Sequence, residues 1–380
     1  MKEKVLVVGG TGPTGRYIID GLRERGHEVT IFHRGNHELP ELADLEHIHG
    51  DPHFSDTIEA ALGDRTFDTV MGMYGRTALV AEHFAKRETC RRFIGIGSNL
   101  GYRGWVEPSS SVPSGPAVLC REDTPQVDDA AVAQWPNLKF ARKIVATEQS
   151  VFAHHRPGTF EVTWLRYSVI YGPGNVIPWE WSVLKRVRDQ RPFMMIPSDG
   201  MEIRSRLYAR NAAHAVLLAF DKPDVSAGEV YNCADDHQYT QRQWIDLVQQ
   251  ACGGTMELVS LPWEIAEPAW FLLPSHIESV AHGLVDTSKI RTQLGYRDAV
   301  PAPEAIRETV RFYERRPVTP EEFPNLQDRF QYDMEDRLLA AYRCMIERLR
   351  EQRGIGAREK FHPYPHPREI AGVRADAKGR

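Results

Sequence analysis

The sequence predicts an α/β fold built around a doubly wound parallel sheet, and two observations support this prediction. Short, continuous apolar runs alternate with segments of helical length from the first residues onward. Continuous rather than alternating apolar runs are typical of parallel strands that are covered on both faces. The segments between them are long enough for the right-handed crossover helices that join parallel strands.

The predicted elements follow one another along the chain. The first six strands are predicted at Val5–Val8, Glu28–Phe32, His47–His49, Thr69–Met71, Phe93–Ile96 and Glu161–Leu165. A helix from about Asn137 to Phe152 follows a long loop, Trp105–Pro125, which is rich in Ser, Pro and Gly. Glu229–Asn232 is predicted to return to the sheet as a further strand, and Thr240 is predicted to cap the next helix.

A glycine-rich turn, Gly9–Gly15, joins the first strand to the first helix. Gly9 permits a tight turn, Gly12 lets the backbone approach a pyrophosphate, and Gly15 allows close packing of helix on strand. The helix N-terminus presents free N–H groups to the phosphates. This order of strand, turn and helix predicts a Rossmann-type dinucleotide site, with a purely structural turn as the alternative. The predicted cofactor contacts in the turn are Gly9, Thr11, Gly12, Pro13, Thr14 and Gly15.

The residues after the second strand bear on the choice of cofactor. An acidic residue there would bind the ribose 2′-hydroxyl of NAD, but this chain has His33 and Arg34. A guanidinium at this position suits a 2′-phosphate, so the sequence predicts NADP, with NAD as the alternative. Arg34 would otherwise be a solvated loop residue. His33 and Arg34 are both predicted to contact the cofactor.

Asp51 follows the third strand and is predicted to accept a hydrogen bond from the adenine amino group. His47, His49 and His53 lie close together in sequence, and histidines are common metal ligands. Two of them share one face of the strand, but no acidic or cysteine partner has matching spacing. The sequence therefore predicts no metal site and favours polar histidines at the strand edge.

Three regions are predicted from this pattern. Residues 1–175 form the dinucleotide-binding domain, to which the strand near 229–233 returns. Residues 176–318 form a smaller α/β substrate-binding domain. Residues 319–380 form a helical extension with a polar tail.

Composition narrows the function classes. A formal net charge of −5 gives no electrostatic footprint for nucleic acid, so no nucleic-acid partner is predicted. Five cysteines without close spacing fit a reducing compartment. The N-terminus resembles no signal peptide, and no apolar run is long enough to span a bilayer. We therefore predict a cytoplasmic protein without a membrane partner.

Three segments carry a resemblance to a known superfamily. Gly9–Gly15 resembles the TGGTGxxG-like fingerprint of the extended short-chain dehydrogenases/reductases. Leu165–Gly174 is similar to their LRPxxxYGPG segment, with Tyr167 in place of the proline, and Asp286–Tyr296 resembles their late DxSK…LG[WY] signature. The resemblance covers about residues 4–315. Two segments, Phe32–Gly35 and His49–Asp51, resemble the atypical branch labelled NAD-dependent epimerase/dehydratase, which includes chloroplast stem-loop-binding relatives.

The resemblance implies an active site at the end of the fifth strand. Ser98 matches the serine that hydrogen-bonds the reacting oxygen, and Lys143 matches the lysine of the YxxxK motif, which binds the nicotinamide ribose. The tyrosine position of that motif holds Lys139. Two tyrosines could replace the missing phenol: Tyr102, which is predicted as catalytic, and Tyr74, which is predicted to line the cofactor site.

The resemblance also implies a homodimer built from the helix after the fourth strand and the helix around Lys143. Its apolar seam is predicted to consist of Leu79, Val80, Phe84, Ile144, Val145 and Phe152.

Two functions remain open at this point. The first is an NAD(P)-dependent oxidoreductase or epimerase/dehydratase that transfers a hydride at a carbinol or carbonyl carbon of a small molecule, which could be a sugar or nucleotide-sugar. Arg204 and Arg206 lie where extended relatives often hold a nucleotide-sugar phosphate. The second is a dinucleotide-binding protein without redox turnover, acting as a sensor, scaffold or RNA-associated protein. The missing tyrosine favours the second, whereas Ser98 and Lys143 favour the first.

Overall fold

The structure is a computed structural model that describes residues 2–36, 39–73, 77–266, 281–326 and 328–352. Its contacts divide the chain into two units, Met1–Arg329 and Phe330–Arg380. The predicted division at residue 175 lies inside the first unit and stays a prediction.

The first unit contains the strands and most of the helices. The strands are β1 (Lys4–Val8), β2 (Glu28–His33), β3 (Glu46–His49), β4 (Phe67–Gly72), β5 (Cys90–Ser98), β6 (Glu161–Tyr167), β7 (Val169–Tyr171), β8 (Phe193–Pro197), β9 (Arg206–Tyr208), β10 (Val230–Cys233) and β11 (Glu257–Leu261). The helices are α1 (Gly15–Glu24), α2 (Ser55–Leu62), α3 (Thr77–Arg87), α4 (Asp129–Gln134), α5 (Lys139–Phe152), α6 (Trp179–Arg188), α7 (Ala209–Asp221), α8 (Pro223–Ser226), α9 (Gln241–Cys252), α10 (Ser288–Gln293), α11 (Ala302–Arg315) and, in the second unit, α12 (Tyr332–Gln352).

Seven parallel strands form the main sheet, in the order β10-β6-β5-β4-β1-β2-β3. The strand order reverses between β1 and β4, and open α/β sheets bind ligands at the carboxyl ends of the strands beside such a switch point. The predicted doubly wound sheet is confirmed, including the return of β10 to pair with β6. Two smaller parallel pairs, β8 with β11 and β7 with β9, lie outside this sheet.

Burial on both faces explains the continuous apolar runs. Val5 and Val7 of β1 pack into one core cluster, whereas Leu6 and Val8 pack into another. Successive side chains of a strand point to opposite faces, so a strand covered on both sides has to be apolar at every position. For this reason the four apolar residues Val5–Val8 are sufficient to predict β1 as a parallel strand.

Half of the predicted dimer seam lies inside the protein's own core, which corrects that prediction. Val80, Phe84 and Val145 are buried, two of them in the core cluster between the sheet and α3. Side chains that cover the sheet of their own chain cannot also contact a second chain. Leu79, Ile144 and Phe152 are only partly buried.

Among the described residues, no helix is long and apolar enough to cross a membrane. All five cysteines are free.

Candidate cofactor and active site

The turn after β1 has the backbone shape that a dinucleotide site requires. Gly9 and Gly10 adopt φ values of 98° and 80°, in the left-handed region that favours glycine. A Cβ atom on Gly15 would lie 2.1 Å from the carbonyl oxygen of Gly10, so no side chain fits there. A Cβ atom on Gly12 would meet nothing within 4 Å, so the space in front of this residue is open. The three glycines therefore differ in backbone conformation and in the space around them, and their contacts with a cofactor stay predictions.

Helix α1 begins at the end of this turn. Thr14 is buried and makes no side-chain cap on the helix, and Thr11 and Pro13 are half-buried in the turn. The first N–H groups of an α-helix lack intrahelical acceptors, and without a side-chain cap they are available to an anion. Open space at Gly12 and an uncapped helix start together fit a pyrophosphate.

Arg34 and His33, at the end of β2, differ in exposure and in their contacts. Arg34 is exposed, so its guanidinium can reach a ligand. His33 is only 6% exposed, and its Nε2 lies 2.8 Å from Nδ1 of His47 while its Nδ1 accepts a hydrogen bond from Gly35 N at 3.3 Å. Both ring nitrogens of His33 are thus engaged within the protein. This corrects the prediction of His33 as a direct cofactor contact.

Asp51 lies after β3, at the same edge of the sheet. Its Oδ1 accepts hydrogen bonds from the backbone N–H of His53 at 2.9 Å and from the ring Nδ1 of His53 at 2.7 Å. The backbone hydrogen bond from His53 lowers the pKa of Asp51 most, and the positive charge of Arg34 lowers it further. Asp51 and Arg34 are therefore electrostatic neighbours at the predicted adenosine end of the site.

Ser98 is the last residue of β5, beside α5. It is half-buried, and its Oγ accepts a hydrogen bond from Leu100 N at 3.2 Å, which leaves the hydroxyl proton available for donation. The turn that follows Ser98 packs on α5, because a Cβ atom on Gly101 would lie 2.9 Å from Cγ2 of Val145. The structure thus places Ser98 next to the helix that carries Lys143.

Two lysines occupy the exposed side of α5 near its start. Lys139 is the first residue of the helix and Lys143 lies four residues later, so both share one helix face. Both side chains are exposed. The helix therefore presents a lysine at the tyrosine position of the motif and a second lysine at the expected position. Tyr74 lies outside the described residues.

Tyr102 belongs to a closed internal network. Its hydroxyl donates to Oδ1 of Asn232 at 2.7 Å and accepts from Nη1 of Arg166 at 2.7 Å, while Arg166 forms a buried ion pair with Glu148. The side chain is 1% exposed, and burial raises the pKa of Tyr102 to about 12 against the lowering effect of Arg166. A phenol without solvent access and with both partners satisfied is a packing group, which corrects its prediction as a proton donor.

Arg204 and Arg206 also bind partners within the protein. Arg204 pairs with Glu202 and donates to the carbonyl oxygen of Trp105 at 3.0 Å. Arg206 donates to Gln241 and lies 4.6 Å from the ring centroid of Trp244. Both arginines are nearly inaccessible, so the predicted phosphate contacts are mainly structural.

Sequence reasoning missed the association of His33 with His47. These residues are separated by a helical turn and a loop in sequence, but β2 and β3 pair in parallel with His33 opposite His49. The register of the two strands would have revealed the association, since paired residues of parallel strands point to the same face.

The fold and the site together define an NAD(P)-binding enzyme of the oxidoreductase or epimerase/dehydratase type. The model of the NAD dependent epimerase/dehydratase family matches residues 5–100 and 109–234, and the chain belongs to this family. The predicted resemblance is thereby confirmed, and the non-redox alternative is not favoured.

A curated relative and two solved structures extend the comparison. The relative is the 3-diazoavenalumate denitrifying reductase of a Streptomyces species, which is 25% identical over 313 residues, or 79% of this chain and 97% of the reductase. The NAD complex of dTDP-glucose 4,6-dehydratase from Bacillus anthracis superposes with a TM-score of 0.64 at 14% identity, over 82% of this chain and 97% of the dehydratase. UDP-glucose 4-epimerase from Thermotoga maritima, with UDP-glucose, superposes with a TM-score of 0.63 at 19% identity, over 82% and 99% of the two chains. At these identities the two structures show a shared fold.

Proposed function

We propose that this chain is an NADP(H)-dependent oxidoreductase that transfers a hydride at the carbinol or carbonyl carbon of a small organic molecule. The observation that carries the proposal is the position of Ser98 at the carboxyl end of β5, next to α5, the helix whose exposed side presents Lys139 and Lys143. A hydrogen-bond donor at the carboxyl end of β5, with two cations on the adjacent helix, suits a reaction in which negative charge develops on a substrate oxygen.

The preference for NADP rests on Arg34. Its side chain is exposed at the end of β2, where a carboxylate would favour NAD. A guanidinium forms charge-assisted hydrogen bonds with a phosphate but gains little from a ribose hydroxyl. The Gly9–Gly15 turn would hold the pyrophosphate, Asp51 the adenine and Lys143 the nicotinamide ribose. NAD is the alternative, since the dTDP-glucose 4,6-dehydratase that shares this fold was solved in complex with NAD.

The roles of the residues follow from their contacts. When bound, the nicotinamide supplies or accepts the hydride. Ser98 donates a hydrogen bond to the reacting oxygen, because its own oxygen is already an acceptor for Leu100 N. Lys139 supplies the proton that the tyrosine of the motif would otherwise supply, since its exposed ammonium lies on the same helix face as Lys143.

The contacts of the two arginines favour a substrate without a diphosphate. Arg204 and Arg206 are both held by internal partners, which leaves little cationic surface at the positions predicted for a phosphate. A small carbonyl compound needs no such contact. The curated relative is named as a denitrifying reductase of 3-diazoavenalumate, and this name refers to no nucleotide-sugar.

A nucleotide-sugar is the second candidate, and one observation favours it. Among the described residues, Nη2 of Arg204 is buried without a hydrogen-bond partner, and a buried donor of this kind calls for an acceptor. The two solved structures are named for nucleotide-sugar enzymes.

A substrate screen that follows NADPH absorbance tests the proposal. One panel contains aldehydes and ketones, and the other contains UDP- and dTDP-linked sugars. With the best substrate, Ser98→Ala is expected to lower kcat by about 10²–10³-fold at unchanged NADPH affinity, because a hydrogen bond of the transition state is lost. Ser98→Thr, which keeps the hydroxyl, is the matched control and is expected to retain most of the activity. Equal kcat values for the parent and Ser98→Ala would overturn the proposal.

We also propose a homodimer, with a seam that differs from the predicted one. Phe140 of α5 is 66% exposed, and Ile144, one turn later on the same face, is only partly buried. An exposed aromatic ring beside an aliphatic side chain suits an isologous contact. Sedimentation of a single monomeric species at micromolar concentration would contradict this proposal.

A further inference from the structure

Three histidines converge on one face of the sheet edge formed by β2 and β3. Parallel pairing sets His33 opposite His49 and Ile31 opposite His47. His47 and His49 are two residues apart and share a face of β3, and the paired register places His33 on that same face. The convergence is therefore a consequence of the strand register and not of a flexible loop.

The imidazole nitrogens of this cluster lie within ligand distance of one another. The potential ligand atoms of His33, His47 and His49 are all within 4.8 Å of each other, and Nε2 of His33 lies 2.8 Å from Nδ1 of His47. Tetrahedral zinc, with Zn–N bonds of about 2.0–2.1 Å, places neighbouring ligand nitrogens roughly 3.3 Å apart. The separation of 2.8 Å between His33 and His47 and the upper limit of 4.8 Å for the other pairs bracket that spacing.

His47 already has the tautomer that a metal ligand needs. Its Nε2 lies 2.9 Å from the carbonyl oxygen of Leu42, and only a protonated Nε2 can donate to that acceptor. The Nδ1 atom, which faces His33, therefore carries a lone pair. A ligating histidine typically donates its other N–H to a backbone carbonyl or carboxylate, which fixes the ring and raises its basicity.

Coordination of a cation by His33 would replace its hydrogen bonds with Gly35 and with His47. Its Nδ1 now accepts a hydrogen bond from Gly35 N at 3.3 Å, so Nε2 carries the proton that points to His47. Coordination through Nε2 would move this proton to Nδ1, which breaks the contact with Gly35, and would also replace the hydrogen bond between the two rings. The bond from Gly35 N is near the limit of the usual range, and the coordinate bonds of His33 and His47 offset the loss of the hydrogen bond between their rings.

We propose that His33, His47 and His49 form a binding site for a divalent transition cation, with Zn²⁺ as the best fit. Three imidazoles suit zinc, copper or nickel, and they do not suit the hard cations Mg²⁺ and Ca²⁺, which prefer oxygen ligands. His33 is buried, His47 is half-buried and His49 is exposed, so the cation would enter from the solvent side of His49. Water would complete the coordination, as in open three-ligand zinc sites.

The site is distinct from the proposed redox centre. Ser98 ends β5 and Lys143 lies on the adjacent helix α5, whereas the histidines lie on β2 and β3, on the other side of the strand-order reversal between β4 and β1. The sequence predicted no metal here because β3 alone offers two histidines on one face. The third ligand comes from the neighbouring strand.

Calorimetric titration of the metal-free full-length chain with Zn²⁺ tests the proposal, together with the visible absorption spectrum of the Co²⁺ complex. We expect one saturable site, a Co²⁺ spectrum typical of tetrahedral nitrogen coordination, and a Kd that rises at least about tenfold, or 1.4 kcal/mol, in both His47→Gln and His49→Gln. His49→Gln changes an exposed side chain, so its fold should be retained, and circular dichroism checks this. His154→Gln, at a half-buried histidine beyond α5, is the matched control and should bind like the parent.

Two results would overturn the proposal. One is a Kd that is the same in the parent, His49→Gln and His154→Gln, which would show that any Zn²⁺ binds elsewhere. The other is the absence of saturable Zn²⁺ binding by a parent chain that is folded and still binds NADPH. Neither result depends on enzyme activity, so the test stands apart from that of the proposed function.

Discussion

The hydroxyl of Tyr102 donates a hydrogen bond to Oδ1 of Asn232 over 2.7 Å, although the two residues are 130 positions apart in the chain. Asn232 lies in β10, and Tyr102 follows the turn that carries Ser98. The contact therefore ties the loop after β5 to the strand that returns from the second half of the chain. It fixes the position of the proposed active-site turn.

Tyr102→Phe is expected to lower stability and to leave the pH dependence of turnover unchanged. Removal of the phenol leaves Oδ1 of Asn232 and a guanidinium N–H of Arg166 with one partner fewer in a buried site, at a cost of about 1–3 kcal/mol. Urea unfolding and a pH–rate profile measure the two effects.

Tyr239→Phe, at a half-buried tyrosine elsewhere, is the matched control and should change neither quantity by a comparable amount. Loss of an alkaline limb from the pH–rate profile of Tyr102→Phe would instead restore this residue as a proton donor.

Arg34→Ala is expected to weaken NADPH binding by about 1.5–3 kcal/mol and to leave NADH binding nearly unchanged. The reason is that only the 2′-phosphate of NADPH can use the charge of a guanidinium at the end of β2. Fluorescence titration of both cofactors measures the difference. Arg65→Ala is the control, because Arg65 forms a solvent-exposed ion pair with Glu46 on the same sheet edge. Equal losses for both cofactors in Arg34→Ala would contradict the assignment.

The pattern of neighbouring residues was sufficient to predict the parallel sheet and the glycine-rich turn. Burial on both faces makes β1 apolar at each of its last four positions, and a Cβ atom cannot fit at Gly15, so both features leave a signature in consecutive residues. The predicted ends of the strands differ by a few residues, as for β5, which extends to Ser98. Backbone pairing of β5 continues beyond the apolar run Phe93–Ile96, and no residue pattern marks this extension.

Side-chain partners could not be predicted from local pattern. Tyr102 had the spacing of a catalytic residue, and only the packing of β10 revealed its partner. Val80 and Phe84 had the apolar pattern of an interface, but the same pattern describes a helix that covers its own sheet. Periodicity shows which face is apolar and not what covers that face.

Lys139→Ala is expected to lower kcat by about 10²–10⁴-fold with unchanged NADPH affinity, because general acid catalysis is lost while the cofactor contacts remain. Lys139→Tyr recreates the YxxxK motif and is expected to restore much of the rate. Steady-state kinetics and cofactor titration measure the two effects.

Lys86→Ala is a control at an exposed lysine of α3, whose partner is Glu82 on the same helix. A parental kcat in Lys139→Ala would show that the proton comes from water or substrate.

Glu180→Gln is expected to stabilise the protein at alkaline pH. Glu180 of α6 is fully buried, and neither of its carboxylate oxygens has a hydrogen-bond partner among the described residues. Burial raises the pKa of Glu180 from 4.5 to about 7, although the charge of Arg206 acts to lower it. Between these values the folded chain binds more protons than the unfolded chain, so the free energy of unfolding falls as pH rises through this window.

The glutamine stays neutral at every pH and removes that loss. Its free energy of unfolding should match the parent's at pH 4 and exceed it by about 3 kcal/mol at pH 8, the order of magnitude given by 1.36 kcal/mol for each pKa unit. Urea unfolding at a series of pH values measures both. Glu24→Gln, at an exposed position of α1, is the control and should show no comparable difference between pH 4 and pH 8. If Glu180→Gln follows the parent at both pH values, the carboxyl group is not held uncharged by its burial, and a partner must stabilise its charge.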